Sequence, residues 1–469
     1  MPSDIQTLAA TQEKAFFINM DDAVYGSFAE IGAGQETANW FFRSSGAAGT
    51  VAKTISAYDM TVSDTLYGSV RRYVSEERLR QMMEYEYTQL IDCLAEKRGA
   101  STCFFSFCST VKCKGYKDNG PWAAWIGVRF QLKPGAPPSD LIMHVRLLVP
   151  DQEIQKRVLG VLGVNLLYAL FYKRERMEEF VQCVGEHLDN SLYEIDLMRF
   201  SGHGFSMFDN RILALQLVQS GLAAAALFCP GGEGVQQPSD FLYKRPIVLM
   251  RGSFLPLCKI HLEMMDSVRA KFCESLTPEQ REREIDICEI SLSNLLRGQE
   301  VDLLDFLDRV DALAALGKTV LVTNITHFHR ISILLNQYTK EPVAIALSIG
   351  LLHELFKEKW ADMPGGILTS MAHIFLNQTK CYVTPWINRK TGEFVTAGTY
   401  RAPEKYHYLY KHLLESGSIV EVPYFNQKLL FLTPRDIIRM INEDKEEWKE
   451  YVPEAAHRMA EHLKGGTGS

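Results

Sequence analysis

From Asn210 to Gly350, apolar stretches of strand length alternate with stretches of helical period, and this alternation constrains the fold more than any single motif. NRILALQLVQSG reads as a helix, AAAALFC and KRPIVLMRG as strands, and DLLDFLDRVDALAALG as a helix; KTVLVTN, RISILLNQYTK and EPVAIALSIG continue as strand, helix and strand. TPEQREREI opens a further charged helix. A βαβ rhythm of this kind predicts a parallel or mixed sheet covered by helices. The first half reads differently. Helices are expected over 35–45, 75–98 and 151–190, and strands over 102–112, 122–132, 140–149 and 192–199. KDNG and KPGAPPSD break the first three strands into an antiparallel meander. The expectation is an α/β protein, mixed α+β in its N-terminal half and βαβ-type in its C-terminal half. No Pro/Gly/Ser linker, repeat or low-complexity tract separates the halves. The texture changes from Asn210, and a boundary is expected between Gly252 and Pro278, giving domains over 1–255 and 256–464, with a flexible tail at 465–469.

At 469 residues the chain exceeds one ordinary core. Its hydrophobic content of 46% and charged content of 23% are those of a soluble globular protein. A net charge of −7 offers no bulk attraction to nucleic acid or to an anionic membrane. The opening residues lack the apolar core of an export signal. VLGVLGVNLLYALFY (158–172) is short for a bilayer span and has basic flanks, so a buried helix is expected. Ten cysteines in so long a chain predict reduced thiols and a cytoplasmic setting, not a disulfide framework. Cys103, Cys108 and Cys113 alternate across one expected strand, which argues against a zinc site.

The densest block of chemistry runs from Phe28 to Tyr73. FAEIGAGQETANWFF delivers a strand, a Gly-Ala-Gly turn and a helix, and GAAGTVAKTISAYDMTVSD follows. Gly32, Gly34 and Gly49 permit close approach of the backbone to a ligand. Thr50, Lys53 and Ser56 would surround a phosphate or carboxylate, and Asp59 or Asp64 would hold a divalent cation or act as base, with Lys53 as the third catalytic candidate. The spacing is not that of a P-loop. The plainer alternative is a loop of small residues that lets two domains or subunits pack closely. FAEIGAG also resembles the first motif of class I methyltransferases, but no strand ending in an acid follows at the required distance.

Three later Gly-bearing segments lie at expected strand ends: FSGHGFSMFDNR (200–211), CPGGEGVQQPSDFLYKR (229–245) and MRGSFLP (250–256). Their candidates are His203, Asp209, Asn210 and Arg211, then Gln236, Ser239, Asp240 and Lys244, then Arg251. Loops of this type gather on one sheet edge, so residues 46–68 are expected near 200–211 or 229–256. The histidines of THFHR (326–330) lack a third metal ligand in register, and His353–Glu354 lacks the second histidine of a zinc-protease helix. His407, His412, His457 and His462 read as solvated helical faces, and no G-x-S-x-G elbow occurs.

Taken with VLGVNLLYALFY, VQQPSDFLYK, RGSF and the late GGIL, the N-terminal block is similar to that of a family of uncharacterised bacterial proteins. Members carry disagreeing names, nicotinamide-nucleotide adenylyltransferase and outer-membrane receptor among them. The receptor name conflicts with the absence of transmembrane β patterning. The adenylyltransferase name implies an H-x-G-H motif and a late I-S-T-x-x-R motif, which SGHG and ISIL do not complete. Where the family's loop has an SGP-type proline, this chain has His203. The resemblance implies a shared fold and site region. The leading expectation is therefore a protein binding a nucleotide or phosphorylated metabolite, of transferase type. Its rival is a non-catalytic scaffold or self-assembling homo-oligomer, and a homodimer is expected because the 158–172 helix needs covering.

Overall fold

Phe28, Phe41, Phe105 and Phe107 are all fully buried, and their rings lie 5.0 to 5.7 Å from Phe28. They form one face of the first of two compact units into which this computed structural model divides, Met1–Ala224 and Ala225–Ser469. The structure describes residues 4–231, 234–298, 300–360, 362–387, 391–423 and 426–463; the expected tail lies outside them. The division falls at Ala224/Ala225, not at 255/256. The strand around 247–251 is central to the second sheet, so its lead-in must belong to that unit as well.

The first unit begins with α1 (Asp4–Asn19), β1 (Val24–Gly32), α2 (Glu36–Arg43), β2 (Val51–Ile55), α3 (Met60–Tyr67) and α4 (Glu76–Arg98). The expected meander follows as β3 (Cys103–Lys112), β4 (Trp122–Phe130) and β5 (Ser139–Leu147), then α5 (Gln152–Tyr172), α6 (Met177–Gly185), β6 (Tyr193–Gly202) and α7 (Asn210–Gln219). Sheet order is β2-β1-β3-β4-β5-β6. β1 is parallel to β2 and β3, and β3 to β6 alternate in direction. Helix α4 covers one face, where Gly127 leaves room for Met83 and Leu79. Helices α2 and α5 cover the other. Burial of each phenylalanine there contributes roughly 1.5–3 kcal/mol relative to exposure. The 151–190 segment is two helices rather than one, with a break at residues 173–176. Helix α5 is buried along thirteen residues; although long and apolar enough to cross a membrane, it forms part of this unit's interior. All ten cysteines are free.

The second unit opens with β7 (Ala225–Phe228), β8 (Val235–Gln236) and α8 (Pro238–Phe241). It continues through β9 (Ile247–Arg251), α9 (Lys259–Cys273), α10 (Pro278–Arg283), β10 (Ile285–Ser291), the small hairpin β11 (Leu296–Arg297) and β12 (Glu300–Val301), α11 (Leu303–Ala315), β13 (Thr319–Thr323), α12 (Phe328–Tyr338) and β14 (Val343–Ser348). Next come α13 (Ile349–Leu355), α14 (Gly366–Ile374), β15 (Thr379–Thr384), the hairpin β16 (Trp386–Ile387) and β17 (Phe394–Val395), α15 (His407–Glu415) and β18 (Ile419–Glu421). Helices α16 (Gln427–Leu430), α17 (Pro434–Asn442) and α18 (His457–His462) close the chain. The main sheet runs β18-β15-β14-β9-β10-β13-β7-β8. The six strands from β18 to β13 are mutually parallel, and β7 and β8 extend the edge in antiparallel fashion. Numbering the parallel strands from β9, their spatial order is 3-2-1-4-5-6. That is the doubly wound order, in which the direction of winding reverses between strands one and four, here β9 and β14.

Candidate functional site

In the first unit the glycine turn is filled from within. Gly32 has φ +79°, and a Cβ there would lie 2.2 Å from the carbonyl oxygen of Val111. A Cβ on Gly34 would meet the Val111 side chain at 2.5 Å, and one on Gly49 the carbonyl oxygen of Asn19 at 2.5 Å. These glycines admit neighbouring backbone of their own unit. The N-terminus of α2, where an anion would bind, already holds a carboxylate: Glu30 accepts the N–H groups of Thr37 and Ala38 at 3.2 and 3.0 Å. Glu30 is only 3% exposed, and burial pushes its carboxyl up to about 7 against those hydrogen bonds.

Strand β2 and helix α3 position the polar residues of the block. Thr50 is buried and donates to the carbonyl of Ile18 at 3.2 Å. Exposed Ser56 accepts from Gln35 at 2.8 Å, tying the loop after β1 to the loop after β2. Lys53 pairs with the fully buried Glu86 of α4 at 2.5 Å, and Tyr67 donates to the other oxygen of Glu86 at 2.8 Å. Burial, with Glu86 beside it, drives the Tyr67 phenol far above its usual range. Asp64 accepts from Arg78 at 2.7 Å and from Tyr73 at 2.9 Å. Asp59 is the N-cap of α3, accepting from the N–H groups of Thr61 and Val62. Each proposed catalytic residue is thus engaged by α3 or α4. Among the described residues no group of three His, Cys, Asp or Glu is placed to hold a metal ion.

The segment 200–211 lies elsewhere in this unit. Strands β2 and β6 are opposite edges of the sheet, about 24 Å apart at five strand spacings, so β2 itself is distant from the β6 margin that carries 200–211. Asp209 caps α7 and pairs with Arg211 at 2.8 Å. Asn210 ties down β6 by bonding both the N–H and the carbonyl of Phe200. His203 is exposed in the turn after β6. On the same sheet, His144 Nδ1 and Asp196 Oδ1 share a buried hydrogen bond of 2.5 Å, with the Trp125 ring 4.7 Å from the imidazole.

In the second unit Ser239 accepts from Gln237 at 2.8 Å. Gln236 lies on the two-residue strand β8, and Asp240 is exposed on α8. Lys244 is exposed, with φ +57°, near the Tyr243 ring. Arg251 stands at the carboxyl end of β9. It pairs with the fully buried Glu289 of β10 at 2.5 Å and donates to the carbonyls of Thr326 and Ile325, both at 2.6 Å. Thr323 of β13 donates to the same Glu289 at 2.6 Å. Arg251 therefore braces the ends of three adjacent strands. Buried Arg309 of α11 works alongside it, donating to the carbonyls of Ser253 at 3.0 Å and Asn294 at 2.8 Å. These two arginines shape the carboxyl edge of the sheet around the exposed loop residue Ser253.

The loop after β9 continues through Leu257 into α9. Cys258 is the N-cap, and its backbone N–H donates to His261 Nδ1 at 3.1 Å. Burial holds the His261 imidazole down at about 4 and pushes the Cys258 thiol up to about 12, so neither is charged near neutral pH.

No family model matches the chain, and no curated protein matches it. Among solved structures, competence/damage inducible protein CihA from Agrobacterium tumefaciens is 14% identical, with a TM-score of 0.27, over 34% of this chain and 94% of that one. The competence-damaged protein (CinA) superfamily protein from Enterobacter cloacae is 11% identical, with a TM-score of 0.25, over 35% and 92%. Likenesses this slight establish neither fold nor chemistry for this chain.

Sequence reasoning singled out Arg251 and missed its partners. Glu289 lies on β10, whose charges hide it as a strand, while Thr323 and Arg309 lie within an expected strand and helix, and only the parallel register reveals that they converge. Glu30 was in view, inside FAEIGAG, but nothing in the string shows that its carboxylate turns back onto α2.

Proposed function

We propose that the second unit binds a nucleotide-like or phosphorylated small molecule in the crevice at the carboxyl ends of β9 and β14. The observation that carries this reading is the strand order 3-2-1-4-5-6. In sheets of this order two neighbouring loops leave in opposite directions at the reversal, and ligands bind in the crevice between them, at a helix N-terminus. The loop entering it after β9, Gly252 to Leu257, is braced by Arg309 and followed by the fifteen-residue helix α9. Cys258-Lys259-Ile260-His261 has the length of the H-x-G-H motif and its final histidine, with Cys and Ile at the other two defining positions. An adenylyltransferase uses two imidazoles to stabilise the transferring phosphate. Here a neutral thiol and a neutral, inward-bonded imidazole stand instead. The arrangement favours binding over transfer, and any group-transfer chemistry falls to other residues.

The test is the thermal midpoint of the full chain against a panel of nucleotides and phosphorylated metabolites, with a Ser253→Trp variant that obstructs the crevice. A ligand at a hundred times its Kd stabilises by about 2.7 kcal/mol, which raises the midpoint of a unit this size by roughly 5 °C or more. We expect one class of compound to do so and the variant to lose the response while keeping the unliganded midpoint. A flat panel, or a response indifferent to Ser253→Trp, overturns the reading.

A further inference from the structure

The loop after β13 delivers two imidazoles and a guanidinium to one turn. His327 is the N-cap residue of α12, whose side chain does not cap the helix, and its ring lies 5.3 Å from that of His329. Arg330 follows. One carboxylate faces all of them: Asp362 lies 2.5 Å from Arg330 Nη2 and 3.1 Å from His329 Nε2. His329 is 2% exposed, yet Asp362 lies out of line, leaving its Nε2 without a hydrogen bond. A buried polar nitrogen left in this condition costs free energy unless another group satisfies it. The position is the N-terminus of an eleven-residue helix at the carboxyl edge of the sheet, where free N–H groups and the helix dipole favour an anion. His373 of the neighbouring helix α14 donates toward the carbonyl of Thr369 and adds a further imidazole to the field at His329.

We propose that the first turn of α12, through His327, His329 and Arg330, is an oxyanion subsite for the phosphate of the ligand, occupied by Asp362 when no ligand is bound. This deepens the reading above and rests on it. A tetrahedral phosphate presents more acceptor oxygens than a carboxylate and meets His329 Nε2 in a direction that Asp362 does not. It takes over the Arg330 contact as Asp362 moves aside. Residue 362 lies between α13 and α14, outside any helix or strand, so the exchange breaks no ladder. Binding competes with an internal anion, and removing that anion strengthens it.

The experiment titrates the full-length protein, and its Asp362→Asn, Arg330→Ala and Arg330→Lys variants, with inorganic phosphate and separately with the best nucleotide of the panel. Heat or phosphorus NMR line width is the readout. Asp362→Asn is expected to tighten inorganic phosphate by about tenfold and Arg330→Ala to weaken it by about tenfold, with Arg330→Lys intermediate. The nucleotide should follow the same order. Because Arg330 is more than half exposed, its loss leaves the fold intact. Equal phosphate affinity in all four proteins overturns the subsite. If a nucleotide binds with Ser253 sensitivity but is indifferent to Arg330 and Asp362, the subsite falls and the parent reading stands. If phosphate follows Arg330 and Asp362 while no nucleotide binds, the subsite holds free phosphate and the parent reading falls.

Discussion

Glu30 shows what one side chain can do to a stretch that otherwise looks like a ligand loop. Its carboxylate accepts two N–H groups of α2 from a buried position, and burial outweighs those bonds, holding its carboxyl near 7 instead of the usual 4.5. Between those values the folded state keeps a proton that the unfolded chain has released. Stability of the first unit therefore declines as pH rises from about 4.5 to 7 and levels off above that, by at most about 3 kcal/mol. Denaturant midpoints of that unit's transition at pH 5.5 and 8 will show the decline, and Glu30→Gln will remove most of it. His261 acts with the opposite sign in the second unit. Its imidazole is held near 4 by burial, so stability is complete above the ordinary histidine range and lost as pH falls from about 6.5 toward 4. His261→Gln will flatten that acid limb.

Helices α2 and α5 approach closely because α5 carries Gly160 and Gly163. A Cβ on Gly163 would lie 2.2 Å from Thr37 Oγ1, and one on Gly160 would lie 2.7 Å from the Glu36 Cβ. Gly163→Ala is expected to cost about 1–3 kcal/mol through the forced shift of α2, read as a lowered midpoint of the first unit. Glycine by itself would gain helix propensity from the change, so a stabilised variant would contradict the packing described. Elements with a strong period of their own were legible in the sequence: α4, α11, the meander β3–β5 and β13 all stand within a few residues of their expected spans. Strand β2 was read as part of a loop because AAGTVAKTI has little apolar alternation; its pairing with β1 spans a whole helix and shows only in three dimensions. Helix α3 was missed although Asp59 is a good capping residue, its eight residues being too few to display a period. The hydrogen bonds by which Asp59 and Asp64 hold α3 and α4 were therefore not legible either.

At the scale of the whole chain the α/β class was legible from the βαβ alternation, and the doubly wound order was not. Order depends on which crossover each helix takes, and IDICEIS, the strand β10 beside β9, is masked by its charges. The boundary was placed late for a related reason: β7 and β8 add to the far edge of the second sheet before its first parallel strand begins. Residues 1–224 and 225–469, produced separately, are each expected to give a cooperative unfolding transition. A fragment that stays unfolded would place the boundary elsewhere. Helix α5 no longer argues for a second subunit, because the neighbours that cover it belong to its own unit.

The sheet of the first unit stops at β2, and a strand at the end of a sheet leaves a row of backbone groups facing outward. Here that row is five residues long, half the length of β3, and a short edge offers a stray strand less to pair with. Lys53 and Thr54, its exposed members, make the margin polar, and the lysine adds a charge that discourages stacking. Behaviour in crowded solution should thus be sensitive to Lys53 for reasons unrelated to any ligand. Replacing it with valine would leave buried Glu86 without its cation and lengthen the apolar margin together. Light scattering on heating would register that as earlier clouding.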